Sequence, residues 1–429
     1  MHTVDRNRPQ RRTVPAATAW LLAGLLAAAM LLPAAAAGTG DAAPAAAAAK
    51  PKARPAPKPA PQAVPPELPA ETLRDGSTLA NATTERVYVA DVAIAHIADG
   101  RLRVFEARTG RMMGIVNTGY AGNFALSAKA DELYVATTYL SRGGRGERTD
   151  ILEVWDTQSL SFKHEVILPP KRAQTLNYRG LVSVTGNGRF VLVQNATPAT
   201  SITVVDLAER KVATEVPTPG CWGTLPAQGH PTRFSMLCGD GKVATVTLDE
   251  RGQVADRQVS GVLFDPDRDA WFHTAERLGD RYFFISFLGN LNELDLSGPV
   301  AQAVGQPRPI VNAAQQKQGW RPGGYQAFAL HPGGRWAVVA MHDQGREGSH
   351  KMPAKQLWVV DVATGARVAT APGRGSASLT FSKNGQRLHA LDGMTGAMNV
   401  WDWQDGGRLK LVHTVASAGM AALHLESHD

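Results

Sequence analysis

Short runs of alternating apolar and polar residues recur along most of the chain. Seven of these runs end at an acidic residue that is followed by a turn and another alternating run; the acidic residues are Glu106, Asp156, Asp206, Asp249, Asp295, Asp361 and Asp402. A further pair of alternating runs precedes most copies, as in LSAKADELYVAT and FSKNGQRLHALD. Alternation with a period of two indicates β-strands. Two hairpins in each repeat of about 40 to 50 residues are typical of a four-stranded propeller blade.

The pattern therefore predicts an all-β fold, a seven-bladed β-propeller over residues 71–429. Residues 420–425 also alternate, and we expect them to return to the first blade and close the ring, which removes an open sheet edge. A solenoid or two β-sandwiches are the alternatives, but neither requires so regular a recurrence.

The first 70 residues differ in character from the rest of the chain. A basic segment at 6–12, an apolar run at 16–32 and small residues up to 37 predict a cleaved signal peptide over 1–37 and a periplasmic location. A membrane anchor is the alternative, because the apolar run is only slightly shorter than a membrane span. The pair Arg11 and Arg12 leaves the export route open. Residues 38–70, rich in Ala, Pro and Lys, predict a disordered spacer.

The positive charge of the chain is concentrated in this leading segment. The formal net charge is +7, but eight bases and three acids lie before residue 71, so the predicted propeller carries only +2. A body this close to neutral excludes nucleic acid as the expected partner. Charged residues at 19% and 42 glycines also argue against a helical bundle.

The chain has two cysteines, Cys221 and Cys238. In an oxidising compartment, two thiols 17 positions apart predict one disulfide that closes a short β excursion. A buried pair of free thiols is the alternative.

Motifs for catalysis or metal binding are scarce. The 12 histidines show no pair at metal-ligand spacing, and no GxSxG, phosphate loop or CxxC occurs. In DPDRDAWFHTAE, the acids Asp265, Asp267, Asp269 and Glu276 fit calcium-loop positions, but Ala270 stands where that loop needs Gly. We expect an acidic blade connection there, a strand over WFHTA, and no metal site or catalytic residue in this chain.

One basic loop is a possible partner interface. SRGGRGERTD places Arg142, Arg145 and Arg148 close together, which suits a charge clamp for a partner protein. A solvated hairpin tip explains the same residues equally well.

Several longer strings resemble the heavy subunit of the tryptophan tryptophylquinone amine dehydrogenases. They run in order through the predicted propeller: TTYLSRGGRGERTDILEVWD, LPPKRAQTLNYRGL, VLVQNATPATSITVVD, GCWGTLP with CGDG, GWRPGGY and GREGSHKMPAKQLWVVD. Within that family, KRAQTLNYRGL, QNATPATSI and EGSHKMPA are more similar to the aromatic (aralkyl) amine dehydrogenase heavy chain than to the methylamine enzyme.

The resemblance implies a periplasmic complex of two heavy and two light subunits that oxidises a primary amine to an aldehyde and ammonia. The heavy chain would be a seven-bladed disc with a disulfide matching Cys221 and Cys238. The tryptophan tryptophylquinone cofactor would lie on the light subunit, with none in this chain. Electrons would pass to a blue copper protein of the azurin or amicyanin type. The protein's contribution would be to orient reactants and exclude water.

The resemblance also implies a substrate-channel residue. In the family a heavy-chain aromatic residue lines the entry to the quinone, and NTGYAGNF places Tyr120 at that position, with Phe124 as the alternative. Core or interface packing is the other explanation for both rings.

Three hypotheses on function therefore remain open. The first is the heavy subunit of an aromatic amine dehydrogenase, or of a methylamine dehydrogenase. The second is a non-catalytic exported propeller that binds a surface partner. The third is a propeller dehydrogenase with a diffusible quinone and calcium, which requires a metal at the Asp265 cluster.

Overall fold

A computed structural model describes residues 85–175 and 177–428. The predicted signal peptide and spacer lie outside these residues. Within the described part, no helix is both long enough and apolar enough to cross a membrane.

The described chain is all-β, as the sequence predicted, and its strands form antiparallel sheets, most of which have four or five strands. The first sheet contains β1 (Arg86–Asp91), β2 (Gly100–Glu106), β3 (Met112–Leu126), β4 (Glu132–Leu140), β5 (Arg148–Asp156), β6 (Phe162–Leu168) and, at its edge beside β1, the last strand, β29 (Ala422–His428). The second contains β7 (Val182–Val184), β8 (Phe190–Asn195), β9 (Ser201–Asp206) and β10 (Lys211–Pro217). The third contains β11 (Cys221–Pro226), β12 (Arg233–Cys238), β13 (Val243–Leu248) and β14 (Val254–Val259).

The remaining sheets follow the same order along the chain. The fourth contains β15 (Glu276–Leu278), β16 (Arg281–Ile285), β17 (Asn290–Asp295), β18 (Gln302–Ala303) and β19 (Arg308–Pro309). The fifth contains β20 (Arg321–Pro322), β21 (Phe328–Leu330), β22 (Trp336–His342), β23 (Gln356–Asp361) and β24 (Arg367–Pro372). The sixth contains β25 (Ser376–Phe381), β26 (Arg387–Asp392), β27 (Met398–Gln404) and β28 (Arg408–Val415). The helices are short: α1 (Pro266–Asp269), α2 (Ala313–Lys317), and 3₁₀ turns at Ile94–Asp99 and Ser349–Lys351.

The long strand β3 belongs to two pairings in succession. Its N-terminal half, up to Gly119, pairs with β2, and its C-terminal half, from Tyr120, pairs with β4. Ala121 has a φ of 47° within this strand, a left-handed conformation that bends the backbone. The first sheet can therefore be divided into two four-stranded halves that share β3.

The last strand joins the first, as the sequence predicted. β29 pairs antiparallel with β1 over the whole of β1, from Arg86↔His428 to Asp91↔Ala422. It begins two residues later than predicted and continues three residues further, because the segment before Ala422 turns around the Asp91 carboxylate.

The acidic residues of the repeat act mainly as turn formers. The Glu106 carboxylate accepts the backbone N–H groups of Arg108 and Thr109, and Asp206 accepts those of Ala208 and Glu209. A carboxylate that satisfies these donors fixes the hairpin that follows the strand. This role explains why the repeat ends on an acid.

Apolar clusters fill the spaces between neighbouring sheets. One joins Leu152 of β5 to Val191 of β8, and another joins Phe283 of β16 to Trp358 of β23. A further cluster packs Met398 of β27 against Val87 and Val89 of β1, so that the last sheet contacts the first. The packing order therefore returns to its starting point, which is consistent with a propeller.

The predicted disulfide is present. Cys221 and Cys238 are directly opposite each other on β11 and β12, with their Cα atoms 3.9 Å apart. The bridge staples the first hairpin of the third sheet, as expected from its sequence spacing.

The strand predicted over residues 271–275 was wrong. Only Trp271 forms a β-bridge, to Ser286, and the regular strand β15 begins at Glu276. The preceding acids organise the loop instead: Asp265 caps α1, and the Asp269 carboxylate accepts hydrogen bonds from Ser286, Leu288 and Asn290. Among the described residues, no group of three or more His, Cys, Asp or Glu side chains could hold a metal ion.

Candidate functional site

A cavity of about 440 Å³ opens where several first strands of the sheets begin, and we call it the aromatic cavity. Segments that lead into β7, β15 and β21 bring Tyr178, His273 and Tyr325 to it. Its volume lies in the range of about 300 to 1,000 Å³ that is usual for small-molecule sites. Ring topology assembles this cavity from residues that are far apart in sequence.

The Tyr178 ring contacts two other rings that line the cavity. The Tyr178 and His273 rings meet edge to face, with centroids 4.5 Å apart, and the Tyr178 and Tyr325 centroids are 6.1 Å apart. Burial raises the pKa of Tyr178 to about 12, with a smaller contribution from Tyr325. The Tyr178 phenol is therefore neutral at physiological pH.

The wall of the cavity includes an indole held between other rings. Trp271 stacks on Phe264 at 4.6 Å and on Phe284 at 5.0 Å between ring centroids. Stacking on both sides fixes the indole plane and presents a rigid aromatic surface.

Charged side chains of both signs surround the opening. They are exposed, and they comprise Asp267, Arg268, Glu347 and Lys351. Lys351 lies with its Nζ 5.5 Å from the centre of the Tyr325 ring, a cation–π contact. Burial, with smaller contributions from Lys351 and His350, lowers the pKa of His273 to about 4, so this imidazole is neutral at pH 7.

The segment that carries Tyr120 is held by two side chains from residues 171–177. The buried Arg172 donates to the Tyr120 carbonyl at 2.7 Å and to the Ala121 carbonyl at 2.8 Å, and Asn177 donates to the Gly122 carbonyl. Burial lowers the pKa of Arg172 to about 10, although Asp150 opposes this shift, so the guanidinium stays charged at pH 7. The Tyr120 backbone is thus fixed by a buried cation, and its ring is half-buried.

Phe124, the alternative channel residue, lies in a different environment. Its side chain is 2% exposed and packs against Tyr88 and His424 at centroid distances of 6.4 and 4.7 Å. It lines a second cavity of about 620 Å³, reached where the first strands end. The structure therefore separates Phe124 from the aromatic cavity, and neither it nor Tyr120 lines that cavity.

This second cavity, which we call the ionic cavity, contains a cluster of charges from three sheets. Arg179, before β7, contacts Glu276 of β15 at 2.5 Å and Glu426 of β29 at 2.6 Å. His424 also bonds to Glu426, at 2.9 Å. Burial opposes ionisation of Glu426, but the Arg179 charge and the bond from His424 outweigh it and lower its pKa. Burial prevails at Glu276 and raises its pKa.

The basic loop divides into two parts. Arg142 and Arg145 are exposed at the tip between β4 and β5, and the Arg142 N–H donates to the Arg145 carbonyl. Arg148 is instead paired with the buried Asp150 and donates to the Arg172 carbonyl. Arg148 therefore contributes to the support of the Tyr120 segment, which leaves Arg142 and Arg145 as the exposed pair.

The aromatic cavity was not predicted from the sequence, although its residues lie in strings that were noticed. LNYRGL contains Tyr178, GWRPGGY contains Tyr325, and GREGSHK contains Glu347 and Lys351. The sequence signal was a family resemblance carried by separate strings. Only the fold shows that residues of these strings lie close together.

Comparison with known proteins places the chain in a family. A family model described as "Methylamine dehydrogenase heavy chain (MADH)" matches residues 83–424, which is most of the chain. The chain belongs to this family.

Curated relatives carry the same family name. The methylamine dehydrogenase heavy chain of Paracoccus versutus is 26% identical over 359 residues, covering 80% of this chain and 79% of the relative. That of Methylobacillus flagellatus is 26% identical over 300 residues, covering 68% of this chain and 74% of the relative. The resemblance inferred from the strings is thereby confirmed at the level of the heavy chain family.

Solved structures show a likeness of fold alone. The periplasmic gluconolactonase PpgL of Pseudomonas aeruginosa has a TM-score of 0.56 at 15% identity, covering 80% of this chain and 98% of that one. A protein from Lactobacillus plantarum has a TM-score of 0.56 at 14% identity, covering 80% and 99%. Since one fold serves many activities, these matches do not assign an activity to this methylamine dehydrogenase heavy chain family member.

Proposed function

We propose that this chain is the heavy, non-cofactor-bearing subunit of a periplasmic quinoprotein amine dehydrogenase. Its partner would be a light subunit in an α2β2 complex, and the substrate would be a primary, aromatic amine that is converted to an aldehyde and ammonia. The acceptor would be a blue copper protein of the azurin or amicyanin type. The observation that carries the proposal is the match to the heavy chain family over residues 83–424.

We infer that the body has seven blades. The division of the first sheet at β3 supports this count, since it yields two four-stranded halves beside the other sheets. The pairing of β29 with β1 supports a closed ring.

The tryptophans of this chain do not fit the proposed quinone, which would be formed from two tryptophans of the light subunit. Among the described residues, Trp320 and Trp358 form the closest tryptophan pair, with ring centroids 5.1 Å apart, but Trp358 is fully buried in an apolar cluster and its N–H donates to Gln356. Substrate has no access to such a pair. The quinone, when bound by the partner, would supply the electron sink for amine oxidation.

This chain would position the substrate and shield the reacting centre from water. Arg172 and Asn177 fix the backbone that carries Tyr120, so the phenol ring can border the substrate path in one orientation. An aromatic ring there offers apolar contact to an aralkyl substrate and excludes water from the reacting centre. The phenol O–H also adds a hydrogen-bonding group that a Phe would lack.

Preference for methylamine is a second candidate. The curated relatives, at 24–27% identity, are named methylamine dehydrogenase heavy chains. The strings KRAQTLNYRGL, QNATPATSI and EGSHKMPA favour the aromatic alternative.

Purification of the native complex tests both the class and the substrate. We expect this chain to co-purify with a small, cysteine-rich partner whose visible quinone absorbance is bleached by tyramine and much less by methylamine. The isolated heavy chain is the control and should oxidise neither amine. A stable monomer without a chromophore would contradict the proposal, and faster bleaching by methylamine would favour the second candidate.

A further inference from the structure

The aromatic cavity has a built aromatic interior that the proposed amine oxidation does not use. Tyr178, Tyr325 and Trp271 present rings to one space of about 440 Å³. Their positions are fixed by ring contacts and by the backbone bonds of Tyr325 to the Ala377 carbonyl. Such a space fits one aromatic ring with a short substituent.

The cation nearest to an interior ring is Lys351. Its Nζ lies 5.5 Å from the centre of the Tyr325 ring, and it forms no ion pair with another described residue. Over the whole lining, Asp267 and Glu347 balance Arg268 and Lys351. Beside Lys351 itself, an acceptor or anionic group is favoured and an ammonium group is disfavoured.

His273, which lines both the aromatic and the ionic cavity, supplies an unmet hydrogen-bonding group beside the Tyr178 ring. Its Nε2 is buried and has no hydrogen-bond partner among the described residues. An unsatisfied buried polar atom is destabilising, so a ligand oxygen that accepted a hydrogen bond from this imidazole would recover part of that cost.

We propose that the aromatic cavity binds a small aromatic carboxylate, with its ring against Tyr178 and Tyr325 and its carboxylate beside Lys351. Arylacetates and benzoates belong to this class. The site is separate from the amine oxidation proposed above and does not depend on it, because binding requires only this chain.

Calorimetric titration of the full chain with three ligands of equal shape tests the charge preference. We expect phenylacetate to bind more tightly than 2-phenylethanol, and phenethylamine to bind least tightly. Cyclohexylacetate should bind more weakly than phenylacetate, because it cannot stack. Tighter binding of phenethylamine, or no binding of phenylacetate at millimolar concentration, would overturn the proposal.

A lysine substitution tests the position of the carboxylate. Lys351→Met should weaken phenylacetate binding by about tenfold, the size expected for one charge-assisted contact, and leave 2-phenylethanol binding unchanged. Lys317→Met, at an exposed lysine on α2, is the matched control and should leave both affinities unchanged. Equal effects of the two variants would refute the assigned position. Lys351 is exposed, so folding is not at risk, and thermal unfolding verifies this.

A ring substitution tests the aromatic contact by a separate route. Tyr325→Leu should weaken the binding of phenylacetate and of 2-phenylethanol to a similar extent, because both ligands lose contact with the same aromatic ring. Quenching of Trp271 fluorescence by phenylacetate, absent in Trp271→Phe, would locate the ligand in this cavity. Quenching that persists in Trp271→Phe would place the ligand elsewhere and count against the proposal.

Discussion

Arg179 is the cation that pairs with two carboxylates in the ionic cavity. Its guanidinium contacts carboxylates from β15 and β29, and only 21% of its side chain is exposed. Two carboxylates this close to one another are stable together only while a cation lies between them. Arg179 therefore links three sheets through charge as well as through packing.

Replacement of this cation should destabilise the fold in a pH-dependent way. We expect Arg179→Met to lower the free energy of unfolding by about 3 kcal/mol at pH 8, because Glu276 and Glu426 are left unpaired and repel each other. Repulsion raises their pKa values in the folded variant above the unfolded values, so the loss should grow as pH rises and shrink toward pH 5.

Urea unfolding at pH 5 and pH 8 measures the effect of Arg179→Met. Arg335→Met is the control, because Arg335 is 71% exposed and its contact with Asp361 is 3.7 Å long; its loss should be small at both pH values. A loss in Arg179→Met that is small, or larger at pH 5, would contradict this account.

At the scale of elements, Asp91 joins the last strand to the first. Its carboxylate is 1% exposed and accepts the backbone N–H groups of Ala93 at 2.9 Å, Met420 at 2.8 Å and Ala421 at 2.9 Å. The donors flank both strands at the end of the pair where Asp91 is opposite Ala422. A single buried acid thus fixes the register at which these strands meet.

Removal of this acid should loosen β29 before any other strand. We expect Asp91→Ala to cost about 3 kcal/mol, because three backbone N–H groups lose a buried, charged acceptor, and to speed amide exchange in Ala422–His428. Asp392→Ala is the matched control: Asp392 holds a turn within one hairpin, through Met394 and Thr395, so exchange in β29 should not change. Exchange that rises equally in both variants would show that Asp91 has no special part in the junction.

The sequence predicted the elements that depend on local chemistry. Turn acids such as Glu106, the cysteine pair and the returning strand follow from alternation, spacing and turn chemistry, and the structure confirms them. The sequence did not predict that β3 continues from its pairing with β2 into its pairing with β4. That continuation depends on contacts between neighbouring strands. Pairing at residues 271–275 likewise depends on tertiary contacts, since Trp271 alone bridges to Ser286 and its ring stacks on Phe264 and Phe284.

The candidate site depends on closure of the whole molecule, which local patterns do not contain. Tyr178, His273 and Tyr325 lie about 50 to 150 residues apart, and they meet only because successive sheets surround a common space. The likeness to the heavy chain family gave the function class and Tyr120. It did not indicate which residues form the aromatic cavity.

At the scale of the whole molecule, the exposed arginines at the tip of the β4–β5 hairpin are candidates for contact with the proposed light subunit. We expect charge reversal of Arg142 and Arg145 to weaken association of the subunits, more at low than at high salt, because exposed charges act at long range only when unscreened. Mass photometry of the purified complex at two salt concentrations measures the assembled fraction.

A matched double reversal, Arg210→Glu with Arg251→Glu, changes exposed charges at the turns after β9 and β13 and should not affect assembly. Unchanged assembly of the Arg142 and Arg145 variant at low salt would mean that the tip is only solvated.

The position of β29 makes the molecule sensitive to premature termination. His424 and Glu426 are among the last residues of the described chain, yet they line the ionic cavity and complete the first sheet. A polypeptide that stops before Ala422 would leave β1 as an unpaired edge and Arg179 with one carboxylate fewer. Such products would expose a strand that is prone to aggregate, so we expect β29 to be required for a lasting, soluble protein.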